Sequence, residues 1–116
     1  MKYDEPDSNI ESDEVREAMQ SFESPLAGLG LPSSPERLLQ VFDEPAYPQP
    51  KRHALLGGGQ TVSIGRIRPC EVFDVKFVAL VHNTIRGAAG VAILNAELLV
   101  KRGYVSSRRE AAALQA

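Results

Sequence analysis

Three prolines fall within eight residues in the segment Asp43-Glu44-Pro45-Ala46-Tyr47-Pro48-Gln49-Pro50, and no other feature constrains the fold as strongly. Each proline fixes its own φ, lacks a backbone N–H, and pushes the residue before it toward extended geometry. A helix across 43–50 is therefore excluded. The chain divides into a leading part of one helix and one short strand, and a trailing part of two strands and a long helix.

In the leading part, Val15, Ala18, Met19 and Phe22 recur at i, i+3, i+4 and i+7, which predicts an amphipathic helix. Ser12 is placed to cap it, Asp13 and Glu14 suit its positive end, and Pro25 stops it. Residues 1–12 are acidic and almost free of large apolar side chains, so a loose N-terminus is expected there. From Pro25 to Pro50 the chain is rich in Gly, Pro and Ser, and the run Leu38-Leu39-Gln40-Val41-Phe42 predicts a short strand within it.

The trailing part opens on Gly57-Gly58-Gly59. This run lacks the Lys-Ser/Thr ending of a phosphate loop and leads into a strand rather than a helix, so it reads as a plain turn. Gln60 to Arg68 alternates, with Val62 and Ile64 on one side and Thr61 and Ser63 on the other. Phe73 to Val81 is more uniformly apolar, as in a strand covered on both faces. Pro69-Cys70-Glu71 has a length that suits an antiparallel hairpin between them. A helix is predicted from about Arg86 to Arg102, capped by Asn83 or Thr84 and terminated at Gly103. Its residues Gly87, Ala88, Ala89, Gly90 and Ala92 leave room for another backbone or a flat ligand. Ser107-Arg108-Arg109-Glu110 fits a capping box for a short terminal turn. The expected organisation is a loose 1–12, one domain over 13–105, and a tail over 106–116. The expected fold class is α+β: a small antiparallel or mixed sheet, helices on one face, and a long C-terminal helix.

With 116 residues the chain has room for one modest core and not two. Its 13 Lys and Arg against 15 Asp and Glu give a formal charge of -2, without the basic excess of a nucleic-acid binder. No apolar run approaches the roughly 20 residues that span a bilayer. The N-terminus has neither the basic start nor the apolar stretch of a secretion signal. A cytoplasmic domain is expected. The single cysteine, Cys70, has no partner for an internal disulfide.

Asp43-Glu44-Pro45 with Pro48-Gln49-Pro50, Ser63-Ile64-Gly65-Arg66-Ile67-Arg68-Pro69, Lys76-Phe77-Val78, and His82-Asn83-Thr84-Ile85-Arg86-Gly87-Ala88-Ala89-Gly90 stand in series, followed by Leu94-Asn95-Ala96-Glu97-Leu98-Leu99. From about Asp13 to Val105 this pattern resembles the C-terminal part of aspartate-semialdehyde dehydrogenases of the fungal and archaeal type. The resemblance implies an enzyme that reduces aspartyl-4-phosphate to aspartate-4-semialdehyde with NADPH, on the route to lysine, methionine and threonine. It implies an N-terminal Rossmann domain and a C-terminal domain that makes the homodimer. The family's nucleophilic cysteine, catalytic histidine, and substrate-holding arginine and glutamate fall, in family order, before the residue matching Met1. This chain is thus expected to carry no catalytic residue, to be inactive alone, and to self-associate or pair with a Rossmann half. Archaeal malonyl-CoA reductases share the C-terminal pattern, which leaves the substrate open.

Among individual residues, Asn83 matches the family's asparagine that contacts the NADP cofactor. Capping of the following helix is an equally simple role for it, and the two can coexist. Cys70 reads as a passive thiol, because an activated cysteine needs a base or cationic surroundings. His53 and His82 read as structural or surface residues, and two histidines with a distant cysteine show no metal-ligand spacing. Arg66 and Arg68 share a strand face by simple alternation, striping a polar face, pairing with carboxylates at a subunit interface, or covering apolar surface with their long stems. Three functions remain: an enzyme fragment, a binding subunit that completes or modulates a separate half, and an unrelated small binding protein. Four motifs in order disfavour the last.

Overall fold

The computed structural model describes residues 10–114, so most of the expected loose segment 1–12 lies outside the described residues. The elements run α1 (Ser12–Gln20), β1 (Leu39–Val41), α2 (Pro50–His53), a 3-10 turn (Leu56–Gly59), β2 (Val62–Pro69), β3 (Val75–Leu80), α3 (Ala89–Lys101) and α4 (Arg108–Leu114). The three strands form one mixed sheet in the order β1-β2-β3. β1 pairs parallel with β2, with Leu39 opposite Val62 and Val41 opposite Ile64. β2 and β3 form the expected antiparallel hairpin.

α1 carries Asp13 and Glu14 in its first turn, but the residue before it is Glu11 and no side chain caps it, so Ser12 does not act as the cap. The helix ends at Gln20, short of Pro25. Ser21 sends its hydroxyl back to the Glu17 carbonyl at 2.8 Å, competing with continuation of the helix. α1 packs on β1 and β2. Pro50 corrects the exclusion of helix over 43–50 at its last residue: it opens α2 at the first helical position, where a missing N–H costs nothing.

β2 is the middle strand, and both of its alternating sets are buried at its start: Thr61 and Ser63 as well as Ile64. Gly65 is required because Tyr47 and Pro48 lie across it; an added Cβ would strike the Tyr47 carbonyl oxygen and come within 2.8 Å of Pro48 Cδ. The proline-rich segment is thereby laid onto the sheet. A bulge follows. Gly65 faces Val78 while Arg68 faces Lys76, and Arg66 adopts φ 54, in the left-handed region.

The expectation that Phe73–Val81 is covered on both faces is not met. β3 is an edge strand, Phe77 and Val81 are exposed, and Val72 and Phe73 stand out from the connection before it. Val75, Val78 and Leu80 are half-buried, and the outer edge of β3 is unpaired in the sheet.

α3 ends as the sequence indicates. Gly103 takes φ 79, its N–H bonds the Val100 carbonyl, and the Tyr104 N–H reaches the Leu99 carbonyl. Its start differs: residues 83–88 form turns, α3 begins at Ala89, and neither Asn83 nor Thr84 caps it. Only Leu94 of α3 is buried, although the helix is apolar on most sides, with Ile93, Leu99 and Val100 exposed. Glu97 ties α3 to the leading loop by accepting from Ser33 N at 2.9 Å and Ser33 Oγ at 2.6 Å. The expected tail over 106–116 contains α4, which follows Ser107.

The core is thin. Leu31, Ile64, Ile67 and Leu94 are its buried hydrophobic residues among those described.

Candidate cofactor-contact turn

The residues singled out around Asn83 meet where β3 gives way to α3. The turn 83–88 is held from several sides. His82 Nδ1 accepts the Ile85 N–H at 3.3 Å and lies 3.2 Å from Thr84 Oγ1, which gives His82 a local structural role. The Gly87 N–H returns to the His82 carbonyl at 3.1 Å. Ile85 is pressed between two glycines: a Cβ on Gly59 would sit 2.5 Å from its Cδ1, and one on Gly90 would sit 2.5 Å from its Cγ2. Arg86 Nε donates to the Gln60 carbonyl at 2.7 Å, joining the turn to the start of β2. Partial burial lowers the Arg86 pKa from its ordinary value, yet a guanidinium stays charged throughout the working range.

On this pinned turn Asn83 is exposed, and its side-chain amide makes no hydrogen bond among the described residues. Because α3 starts six residues later, the capping role is gone. The amide offers one acceptor and two donors to whatever approaches. The next two residues, Thr84 and Ile85, line a cavity of about 760 Å³ with Gly57, Gln60, Ala89 and Gly90 among others; Asn83 is not part of its lining. Of the small residues at the α3 start, Ala89 and Gly90 line this cavity and Gly87, Ala88 and Ala92 do not. Gln60 and Ile85, which hold the turn, were not singled out from sequence. The glycines that flank Ile85 were the only trace of the contact.

The other candidates lie apart. Cys70 sits in the β2–β3 connection, where main-chain hydrogen bonds from Phe73 and Val72 hold its thiol below the ordinary value, against partial desolvation and with a smaller pull from Lys76. Neither histidine is among the groups acting on it. His53 is 7% exposed, accepts the Gln49 N–H on Nδ1 at 2.8 Å, and packs against Phe42 and Tyr47 at ring separations of 4.4 and 4.7 Å. It braces the proline-rich segment. Arg66 and Arg68 do line one cavity together, through the bulge rather than by plain alternation. Among the described residues no group of three or more His, Cys, Asp or Glu is placed to hold a metal ion, and no helix is long and apolar enough to cross a membrane.

Comparison with known proteins agrees with this frame. The family model of the semialdehyde dehydrogenase dimerisation domain matches residues 7–86. Aspartate-semialdehyde dehydrogenase of Aspergillus fumigatus is 47% identical over 97 residues, covering 81% of this chain and 27% of that protein. The enzyme of the same name from Archaeoglobus fulgidus is 48% identical over 91 residues, covering 78% of this chain and 26% of the relative. A malonyl CoA reductase (NADP) from Metallosphaera sedula is 41% identical over 96 residues, covering 81% of this chain and 27% of the relative. The crystal structure of aspartate semialdehyde dehydrogenase with NADP from Candida albicans superposes with a TM-score of 0.72 at 36% identity, covering 86% of this chain and 28% of that one. This chain thus spans about a quarter of the length of the relatives it matches. The mixed sheet, the proline-rich strap across Gly65 and the turn before α3 are therefore those of a chain that belongs to the semialdehyde dehydrogenase family, matching its dimerisation domain.

Proposed function

We propose that this chain supplies the dimerisation-domain portion of an aspartate-semialdehyde dehydrogenase, an NADP-dependent oxidoreductase of lysine, methionine and threonine biosynthesis acting in the cytoplasm. Its own part is to present Asn83 to the nicotinamide cofactor and to join subunits. The observation that carries this reading is the unpaired Asn83 amide on a turn fixed by His82, Ile85 and Arg86. A side-chain amide matches the donor and acceptor of the nicotinamide carboxamide, so the residues present fit the group. Asn83 would hold the cofactor, which would supply the hydride, and the nucleophile and the acid/base would come from a Rossmann-containing half.

The apolar edge strand β3 and the uncovered α3 support association with a second copy or with that half. A non-catalytic subunit that modulates an intact enzyme draws on the same surfaces. The malonyl-CoA reductase relative supports a second substrate, malonyl-CoA, for the same arrangement.

In enzyme reconstituted from this chain and a Rossmann-containing half, Asn83→Leu is expected to raise the KM for NADPH roughly five- to tenfold, the worth of one or two hydrogen bonds. The KM for the acyl-phosphate substrate should stay within about twofold of its starting value, a change worth under 0.5 kcal/mol. An unchanged KM for NADPH would remove Asn83 from the cofactor site.

A further inference from the structure

A second cavity, of about 440 Å³, opens where α1, the proline-rich segment and the β2 bulge meet. Three arginines are among its lining residues: Arg16, Arg66 and Arg68. Arg16 is neutralised, with Nη1 2.6 Å from Asp13 and Nε 3.4 Å from Asp43, the acidic residue of the lining. Arg66 and Arg68 have no carboxylate within ion-pair distance among the described residues. Main-chain carbonyls hold them instead. Arg66 Nε donates to Pro45 O at 3.0 Å and its Nη2 to Ala46 O at 3.4 Å, while Arg68 Nη1 donates to Arg66 O at 2.5 Å.

A carbonyl orients a guanidinium without cancelling its charge. Two like charges thus belong to the lining of one cavity, with donors to spare from the five that each guanidinium carries. The arrangement also keeps Arg66 at φ 54, a conformation that disfavours any side chain and tends to persist where the surroundings over-determine it. Phe42, Pro45 and Ile67 supply an apolar wall. No residue of the turn 82–88 lines this cavity.

We propose that Arg66 and Arg68 form a binding site for a small phosphate-class anion, distinct from the Asn83 turn. Planar guanidinium forks match the oxygens of a phosphate group, and each charge-assisted hydrogen bond is about twice as strong as a neutral one.

The test is titration of the full chain with inorganic phosphate and with glycerol 3-phosphate, chloride-balanced to constant ionic strength. Saturable one-to-one binding is expected, weakened about tenfold or more in Arg68→Gln. Arg68→Lys should fall between, keeping the charge and losing the fork. Equal affinity for the two anions makes the free ion the ligand; tighter ester binding assigns the apolar wall to a carbon skeleton. Among the described residues Arg68 makes its one side-chain hydrogen bond within its own strand, to Arg66 O, while Arg66 ties down the proline-rich segment, so Arg68 variants keep the test open if Arg66→Gln fails to fold. Absence of saturable binding, or an unchanged Kd in Arg68→Gln, overturns the proposal. So does a variant that loses self-association while its phosphate affinity is intact, which would assign these arginines to carboxylates of a second copy.

Discussion

Gly65→Val is expected to destabilise the chain by roughly 3 kcal/mol or more, enough to unfold a domain with a core this thin. The side chain has nowhere to go. Its Cβ would overlap the Tyr47 carbonyl oxygen and crowd Pro48 Cδ at 2.8 Å, so the strap over β2 must lift. Lifting it removes the bonds from Arg66 to Pro45 O and Ala46 O. It also separates Tyr47 from Phe42 and His53, whose rings lie 5.6 and 4.7 Å away. Overpacking alone costs about 1–3 kcal/mol, and each lost hydrogen bond about 1 kcal/mol more. Gly58→Ala is the control. It sits at φ +67 with open space around it, so only the left-handed backbone resists, at about 1 kcal/mol. Urea denaturation of both variants separates collision from backbone strain, and equal losses would mean that the strap does not bear on Gly65.

Leu94→Ala is expected to cost about 2–5 kcal/mol, and Ile93→Ala, one residue away, less than about 1. Leu94 is 1% exposed while Ile93 is 56% exposed. Leu94 is the one residue of α3 that is buried, so its truncation removes the apolar anchor of the helix and leaves it held by Glu97 to Ser33. Chemical denaturation with circular dichroism measures both. If a second subunit or a Rossmann half covers α3, the cost of Ile93→Ala will rise on association, since its side chain is then removed from water.

The elements most legible in sequence were those whose signals are local. The hairpin followed from two β-prone runs and a short connection, and the α3 stop followed from Gly103 because only glycine takes that φ without cost. The β1–β2 pairing is parallel and joins residues more than twenty apart, which no local pattern encodes. β3 shows the opposite error. Its Val75, Phe77, Val78 and Leu80 read as a strand covered on both faces, whereas Phe77 is exposed and the other three are half-buried. Periodicity reports that a face is meant to be covered and not by which polypeptide. The bulge at Arg66 was invisible because arginine gives no warning of a positive φ. Asn83 was found through family resemblance and not through physics: as a cap it looked ordinary, and only the later start of α3 leaves its amide unpaired.

In the proposed function this chain orients cofactor and joins subunits while the reacting groups come from elsewhere. This division is tested most directly by NADPH oxidation with aspartyl-4-phosphate, using this chain alone and then mixed with the purified Rossmann-containing half of the Aspergillus fumigatus relative. The expected result is no turnover from either part alone, turnover in the mixture, and the same rate in the mixture when Cys70 is replaced by serine. Turnover by this chain alone, abolished by Cys70→Ser, would contradict it, because it would place the nucleophile in the β2–β3 connection where main-chain amides and Lys76 are the groups that act on the thiol.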